Sequence, residues 1–333
     1  MVAGKIKAVR VHEYGGPEKL RYEDIEIGAP GPGQAYVRHT AIGLNFADTH
    51  NREGRYALPS LPHVLGGEAA GVVEAIGPGV TEVKIGDRVA YAAGGPAFPP
   101  GSYAEARLFD ASRLVILPDE IDDITAAGML VKGLTAQYLL KSVYPVGPGD
   151  TIVVHAAAGG VGLILSQCAN YLGARVIGVV SSPEKAKLAL ENGCRHALVS
   201  TSEDVAARVR QLTVGEGVPV VFDAVGHDTF EISLACLRPR GTLVSFGTAS
   251  GKIPPFDLFR LNHMGSLSIT SAAFAWFVRS RSELLSRSAD LIDIVLRGAV
   301  RIQVNQTFRL ADAADAHRAL ESRKTQGASV LIP

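Results

Sequence analysis

Two rhythms of apolar and polar positions divide the chain. Up to about residue 125, short Val/Ile-rich runs (KAVRVHEYG, AYVRHTAIG, AAGVVEAIG, DRVAYAA, RLVILP) alternate with Gly- and Pro-rich turns, the pattern of an irregular all-β unit. Ala126–Lys141 is proline-free and helix-like, ended by Tyr144-Pro145. From Thr151 onward strand and helix alternate strictly. Thr151–Ala156, Arg175–Val180, His196–Ser200, Val218–Asp223, Thr242–Phe246 and Ser266–Thr270 read as strands. Between them Gly162–Leu172, Pro183–Glu191, Glu203–Leu212 and Asp228–Leu237 read as helices, with Gly173 as a stop and Ser182-Pro183 as N-cap and first turn. After the last strand come a helix over Glu283–Leu296 closed by Gly298, a short helix over Asp312–Glu321 and a strand over Ser329–Ile332.

Near-continuous apolar strands alternating with amphipathic helices require a parallel sheet covered on both faces. The expected class is therefore α/β. A doubly wound domain over 128–270 is inserted between a β-rich part, 1–127, and its return, 271–333. No internal repeat or low-complexity segment interrupts this plan.

Composition narrows the function classes. The 333 residues carry 33 Lys+Arg against 33 Asp+Glu, which argues against a nucleic-acid footprint. Cys168, Cys194 and Cys236 are the only cysteines and none forms a C-x-x-C pair, so neither a disulfide framework nor a four-thiolate zinc site is expected. No apolar run reaches the roughly 18 residues of a membrane span. The N-terminal MVAGKIKAVRVHEYGG lacks an apolar signal core, and a cytoplasmic location is the expectation.

The strongest motif is His155-Ala156-Ala157-Ala158-Gly159-Gly160-Val161-Gly162, directly after a strand and before a helix. Read as Ala157-x-Gly159-x-x-Gly162, it is a dinucleotide fingerprint with Ala in the first place. Gly159 lets backbone approach a pyrophosphate, Gly162 lets helix pack on strand, and the helix N-terminus offers free N–H groups. A carboxylate at the end of the second strand would accept from the ribose 2′-hydroxyl of NAD. This chain has Val179-Val180-Ser181-Ser182 there, with Lys185 one turn on, which favours the 2′-phosphate of NADPH.

Metal ligands are not expected. The segment Leu65-Gly66-Gly67-Glu68 has no histidine before its carboxylate, the first part has no cysteine, and His12, His39, His50 and His63 lack paired spacing. A G-x-S-x-G hydrolase elbow is missing too. The polar cluster of interest in the first part is Asn45-Phe46-Ala47-Asp48-Thr49. Asn45 and Asp48 share one face of a helical turn; Asn45 is placed to orient a nicotinamide ribose or a substrate carbonyl, with Asp48 behind it. Plain helix capping is the alternative reading.

Taken together, these residues resemble the zinc-free quinone oxidoreductases of the medium-chain dehydrogenase/reductase superfamily, the group that includes zeta-crystallin. The resemblance runs from Lys7 to Pro333. Its carriers are Gly43-Leu44-Asn45-Phe46 with Asp48-Thr49, Gly71-Val72-Val73 through Gly86-Asp87-Arg88-Val89, and Gly101-Ser102-Tyr103-Ala104-Glu105. Further carriers are Lys132-Gly133-Leu134-Thr135, His155–Gly162, Val244-Ser245-Phe246-Gly247, and Glu321-Ser322-Arg323 through Thr325-Gln326-Gly327.

The resemblance implies a GroES-like β-rich catalytic domain, a Rossmann domain, and NADPH in the cleft between them. It places Asn45 and Thr135 near the nicotinamide, and Ala158, Gly159, Gly160, Val161 and Gly162 at the pyrophosphate. Ser181, Ser182, Lys185 and Ser200 fall at the adenosine phosphate, Phe246 and Gly247 beside the nicotinamide half, and Arg323 reaches the cofactor from the C-terminal segment. Relatives often have an aromatic residue or His where Ser200 stands, and Tyr where His50 stands.

The implied activity is zinc-independent reduction of a quinone by NADPH, the cofactor supplying the hydride while the protein positions the ring and excludes water. Alternatives are an enone or 2-alkenal reductase on the same scaffold, and an NADPH-binding protein with a structural or RNA-binding role. Loops around Tyr56, Tyr91–Pro100 and Ala272–Phe277 are expected to line the substrate pocket, Ala92–Pro100 as an ordered lid or a floppy loop. The apolar edge strand Ser266–Thr270, with the family's pairing of such edges, implies a homodimer.

Overall fold

The structure, a computed structural model, describes residues 4–93 and 99–333. The centre of the expected lid, residues 94–98, lies outside them. Its elements in chain order begin with strands β1 (Gly4–Val11), β2 (Leu20–Ile27) and β3 (Gln34–Leu44), helix α1 (Phe46–Arg52), and strands β4 (His63–Val64), β5 (Glu68–Ile76), β6 (Arg88–Ala92), β7 (Ala106–Asp110) and β8 (Val115–Ile116). Helix α2 (Asp123–Tyr138) follows and widens into a single π-helical turn, Leu139–Val143.

The alternating part is β9 (Thr151–His155), α3 (Gly160–Tyr171), β10 (Arg175–Val180), α4 (Pro183–Glu191), β11 (Cys194–Val199), α5 (Val205–Leu212), β12 (Val218–Asp223), α6 (Phe230–Cys236), β13 (Leu237–Ser245), α7 (Phe259–His263) and β14 (Ser268–Ser271). The chain ends with α8 (Phe274–Phe277), α9 (Arg281–Leu296), β15 (Val304–Arg309), α10 (Ala313–Glu321) and β16 (Ala328–Ile332).

Two compact units result: residues 1–134, 275–296 and 302–333 form one, 135–274 and 297–301 the other. In the first unit, β15-β16-β3-β5-β6-β8 is one sheet, with β7 on β3, and β2-β1-β4 is a smaller one. Its main core packs Val37, Ile42, Leu65, Val73, Val89 and Leu331, all 0% exposed, among others.

In the second unit, six strands run parallel in the order β11-β10-β9-β12-β13-β14. The order reverses on either side of β9, the topology of a doubly wound nucleotide-binding sheet with its switch point beside β9. The central β12, VPVVFD, is buried along its whole length, as a strand covered on both faces must be. Pro219 cannot donate to the ladder, and the β12–β13 register shifts across it, between Val218 and Val220. Cys168, Cys194 and Cys236 are all buried and unbridged in this unit. Burial pushes the Cys194 thiol up to about 11 and the Cys236 thiol up to about 12.

Several expectations need correction. The expected strand in RLVILP is only the two residues Val115–Ile116. The expected helix Asp228–Leu237 gives up its last residue to β13, which starts at Leu237 instead of Thr242. Strands β2, β4, β7 and β15 and helices α7 and α8 were not foreseen, α8 lying in Ala272–Phe277, which was expected as loop.

Candidate active site

The second unit gathers its chemistry at the carboxyl ends of its strands. Leaving β9, the chain turns through Ala156, at φ +52°, and Gly159 N–H donates to the Ala156 carbonyl at 2.9 Å. Gly159 then stands as N-cap of α3 with extended backbone. The first N–H groups of α3, from Gly160, Val161 and Gly162, have no carbonyl behind them in the helix. A methyl on Gly162 would lie 2.3 Å from the Ala156 oxygen and 2.8 Å from Ala157 Cα, so only glycine lets the helix seat on the turn. A methyl on Gly159 would meet just the Ala156 oxygen, at 3.2 Å. The result is a cluster of N–H donors without intrahelical partners at a helix N-terminus, with no side chain over Gly159 or Gly162, the form that binds a diphosphate.

At the end of β10, Ser181 is exposed and Ser182 half-buried. No carboxylate occupies the strand end. Ser182 Oγ caps α4 by accepting from Lys185 N at 3.4 Å, and its hydroxyl also holds the Glu184 carboxyl below its ordinary range. Ser200 Oγ donates to the Val180 carbonyl at 3.1 Å, so its one proton is already engaged. At this edge Ser181 and the Lys185 ammonium are therefore better suited to a phosphate than Ser182 or Ser200.

After β13, Phe246 N donates to the Asp223 carbonyl at 2.9 Å. A methyl on Gly247 would lie 2.6 Å from the Ala224 oxygen, so these two loops touch backbone to backbone. Asp223, 2% exposed, braces them from below. Its carboxylate accepts from Val225 N (2.7 Å), Gly226 N (3.1 Å), Thr229 Oγ1 (2.7 Å) and Ser233 Oγ (2.7 Å). Ser233 Oγ also pairs with His155 Nε2 at 3.1 Å. Burial lowers the His155 pKa, keeping the imidazole neutral.

In the first unit, Asn45 ends β3 and opens α1. Asp48 closes a capping box by accepting the Asn45 backbone N–H at 2.8 Å, while Asn45 Nδ2 donates to Glu68 Oε1 at 2.8 Å. A carboxylate can only accept, so the amide nitrogen faces Glu68 and the amide orientation of Asn45 is fixed. Glu68, 0% exposed, also accepts from Lys132 Nζ at 2.5 Å and Val131 N at 2.7 Å. Gly43 makes room, since a methyl there would lie 2.4 Å from the Glu68 carboxylate.

Asp48 itself is 1% exposed. Burial pushes its carboxyl up to about 7, against the opposing pull of the Asn45 N–H and the Tyr103 hydroxyl. It lies behind Asn45 and caps α1, so one arrangement meets both the capping reading and the geometry that the supporting reading requires.

Behind Asp48 runs a buried chain. Tyr103 Oη donates to Asp48 Oδ2 at 3.0 Å and lies 3.0 Å from His317 Nε2, whose Nδ1 is 2.9 Å from Arg52 Nη1. Arg52 is held by the Gly15 carbonyl at 2.9 Å and by Glu53 and Glu321.

Of the other expected residues, Thr135 is buried on α2 beside Tyr138. Arg323 is exposed just beyond α10, at φ +58°. His50 is 4% exposed, edge-on to Phe46 and Tyr56 at 5.9 and 5.1 Å between ring centres. Among the described residues no group of three or more His, Cys, Asp or Glu side chains comes together as a metal site.

Sequence reasoning missed Lys132, Tyr103, His317, Arg52 and Asp223 as site residues and noted Glu68 only for its missing histidine. Two of these carried a signal. Glu68 and Lys132 are lone charges inside the apolar runs LGGEAAGVV and GMLVKGLTA, and a buried lone charge needs a partner.

Known proteins were compared once this geometry was in hand. Residues 31–119 match the alcohol dehydrogenase GroES-like domain and 160–288 the zinc-binding dehydrogenase family. A quinone oxidoreductase of Pseudomonas aeruginosa is 48% identical over 98% of this chain and 99% of its own. A 2-haloacrylate reductase of Burkholderia is 43% identical over 98% and 99%. The crystal structure of an Escherichia coli quinone oxidoreductase complexed with NADPH superposes with a TM-score of 0.95 at 42% identity, covering 98% of this chain and all of that one.

Proposed function

The chain belongs to the quinone oxidoreductases of the medium-chain dehydrogenase/reductase superfamily, and from that membership we propose that it reduces quinones with NADPH and without zinc. The observation that carries the reading is the β9–α3 turn, which sets the first N–H groups of α3, without intrahelical partners, beside the switch point of a parallel sheet and admits no side chain at Gly162.

The residues present fit NADPH. The turn from Ala158 to Gly162 suits the diphosphate, and Ser181 and Lys185, with no carboxylate at the strand end, suit the 2′-phosphate. The touching loops at Phe246 and Gly247 offer backbone groups to the nicotinamide half, with Asn45, Thr135 and Arg323 as further contacts. When bound, the reduced nicotinamide supplies the hydride that a quinone accepts.

The protein's part is placement. Asn45, its amide oriented by Glu68, presents its remaining hydrogen-bonding positions in one fixed direction, and Asp223 fixes the loops after β12 and β13. Lys132 already neutralises the Glu68 carboxylate, which fits a site that works without a bound metal cation.

The 2-haloacrylate reductase relative favours one second reading, reduction of an activated carbon–carbon double bond. Steady-state assays with 9,10-phenanthrenequinone and an α,β-unsaturated aldehyde, each with NADPH and NADH, separate the two. Turnover of the quinone with a preference for NADPH is the expected result; turnover of the enal alone would sink the quinone assignment.

No helix among the described residues is long and apolar enough to cross a membrane. The proposal includes a cytoplasmic location, which cell fractionation checks. It also includes a homodimer, for β14 is the edge strand of its sheet and open edges favour pairing.

A further inference from the structure

We propose that Tyr103, His317 and Arg52 are positioning residues for the reaction: a buried hydrogen-bond chain of fixed direction holds the Asp48 carboxylate on the Asn45 N–H, so that helix α10 sets where Asn45 stands. The inference rests on the reading of Asn45 as a residue of the nicotinamide side.

The direction follows from donor chemistry, one bond at a time. A guanidinium has donors and no acceptor, so Arg52 Nη1 donates and His317 Nδ1 accepts. Burial, and Arg52 beside it, lower the His317 pKa to about 3. The imidazole is then neutral with its single proton on Nε2, which donates to Tyr103 Oη. The one proton of that hydroxyl is left for Asp48 Oδ2. The chain cannot run the other way, because Arg52 has nothing with which to accept.

Its members come from distant parts of the first unit: Arg52 from the end of α1, Tyr103 from the segment before β7, His317 from α10. Arg52, Tyr103 and His317 are each 1% exposed or less, and every polar end named is satisfied. Apolar packing of the same shape would serve stability as well. What this chain adds is direction and place. It ends on the carboxylate that receives the Asn45 N–H, and it begins on a guanidinium bound to Glu321, two residues before Arg323. The turns carrying Asn45 and Arg323 are thus tied through one side chain.

The titratable and charged groups around Asp48 are Tyr103, Glu68 from β5, Lys132 from α2, His317 and Glu321 from α10, and Arg52 and His50 from its own helix. Tyr103 favours the ionised carboxyl by donating to it. Removing that donor raises the Asp48 pKa further.

In steady-state reduction of 9,10-phenanthrenequinone by NADPH, Tyr103→Phe is expected to lower kcat about tenfold, the scale of one hydrogen bond to a charged group. The acid limb of its kcat profile moves to higher pH. The Kd of 2′,5′-ADP, a probe of the adenosine-side residues alone, stays as in the wild type. Tyr36→Phe removes the phenol oxygen of another tyrosine of the same unit, which accepts from Arg38 outside the chain, and leaves kcat and pH profile unchanged.

His317→Gln keeps an acceptor for Arg52 and a donor for Tyr103, and is expected to be clearly more active than His317→Leu. The proposal is overturned if Tyr103→Phe keeps wild-type kcat and pH profile, or if the two His317 variants are equally active, while the wild-type protein reduces the quinone. A wild-type protein inert toward the quinone would instead remove the functional reading on which the proposal stands.

Discussion

Replacing Gly162 by alanine loads the turn proposed to hold the diphosphate. The added carbon would stand 2.3 Å from the Ala156 oxygen and 2.8 and 2.9 Å from Ala157 Cα and carbonyl carbon. All three obstacles are backbone, so no side chain can swing aside, and helix and turn must part by about 1 Å to reach ordinary contact. Alanine is the better helix former by about 1 kcal/mol, while overpacking of this kind costs about 1–3 kcal/mol. With only backbone to move, the upper end applies and the net loss is about 2 kcal/mol.

The same displacement draws the α3 N–H groups off the diphosphate, with an expected loss of at least about tenfold in NADPH affinity. Gly159→Ala gives the contrast. It has φ −81°, open to any L-residue, and a single near contact at 3.2 Å. Stability should fall by well under about 1 kcal/mol, yet the methyl stands where the phosphates approach and binding should weaken as much. Urea unfolding and calorimetric titration with NADPH read the two effects separately. A Gly162→Ala protein with wild-type stability and wild-type NADPH affinity would refute the reasoning, and so would unimpaired binding by Gly159→Ala.

Lys132→Met leaves the Glu68 carboxylate buried with only its Asn45 and Val131 partners and is expected to cost about 3–5 kcal/mol, part of it recovered when Glu68→Gln is added, as a double-mutant cycle in urea would measure. Asp48 has its carboxyl raised from 3.8 to about 7, so the folded protein keeps a proton that the unfolded chain releases. Its stability contribution is full below about pH 4 and is lost as pH rises through about 7, on the order of 4 kcal/mol at most. Asp48→Asn should therefore flatten the decline of unfolding free energy over that interval, and an unchanged slope would count against the raised carboxyl. Light scattering should return twice the mass of the chain, and the mass of a single chain would rule out the dimer.

The second unit was the more legible because its strands are buried on both faces. Such strands write themselves as unbroken runs, TIVVH, RVIGVV and VPVVFD, between helices marked by Ser182-Pro183 and Gly173. In the first unit, β2 and β15 alternate exposed with half-buried positions and carry little contrast, so they passed for loop. The turn from Ala157 to Gly162 was readable because its form is local backbone geometry: a strand before, a helix after, and no room for a Cβ at Gly162. The chain behind Asp48 was not, because Arg52 and His317 are 265 residues apart and neither has a neighbour in sequence that hints at the other. Ser182 and Ser200 show what residue type leaves out: both suit a phosphate, and the structure adds that their hydroxyls also cap a helix and bond a strand carbonyl.

The burial of the three thiols has a consequence for a protein that handles electrophiles. Quinones and enals add to thiolates, and the thiolate is the reactive form. Cys168, Cys194 and Cys236 are at most 6% exposed, and two of them hold their protons to about 11 and 12. The folded protein thus offers a quinone no exposed thiol to alkylate, and turnover should proceed without self-inactivation for as long as the sheet stays closed.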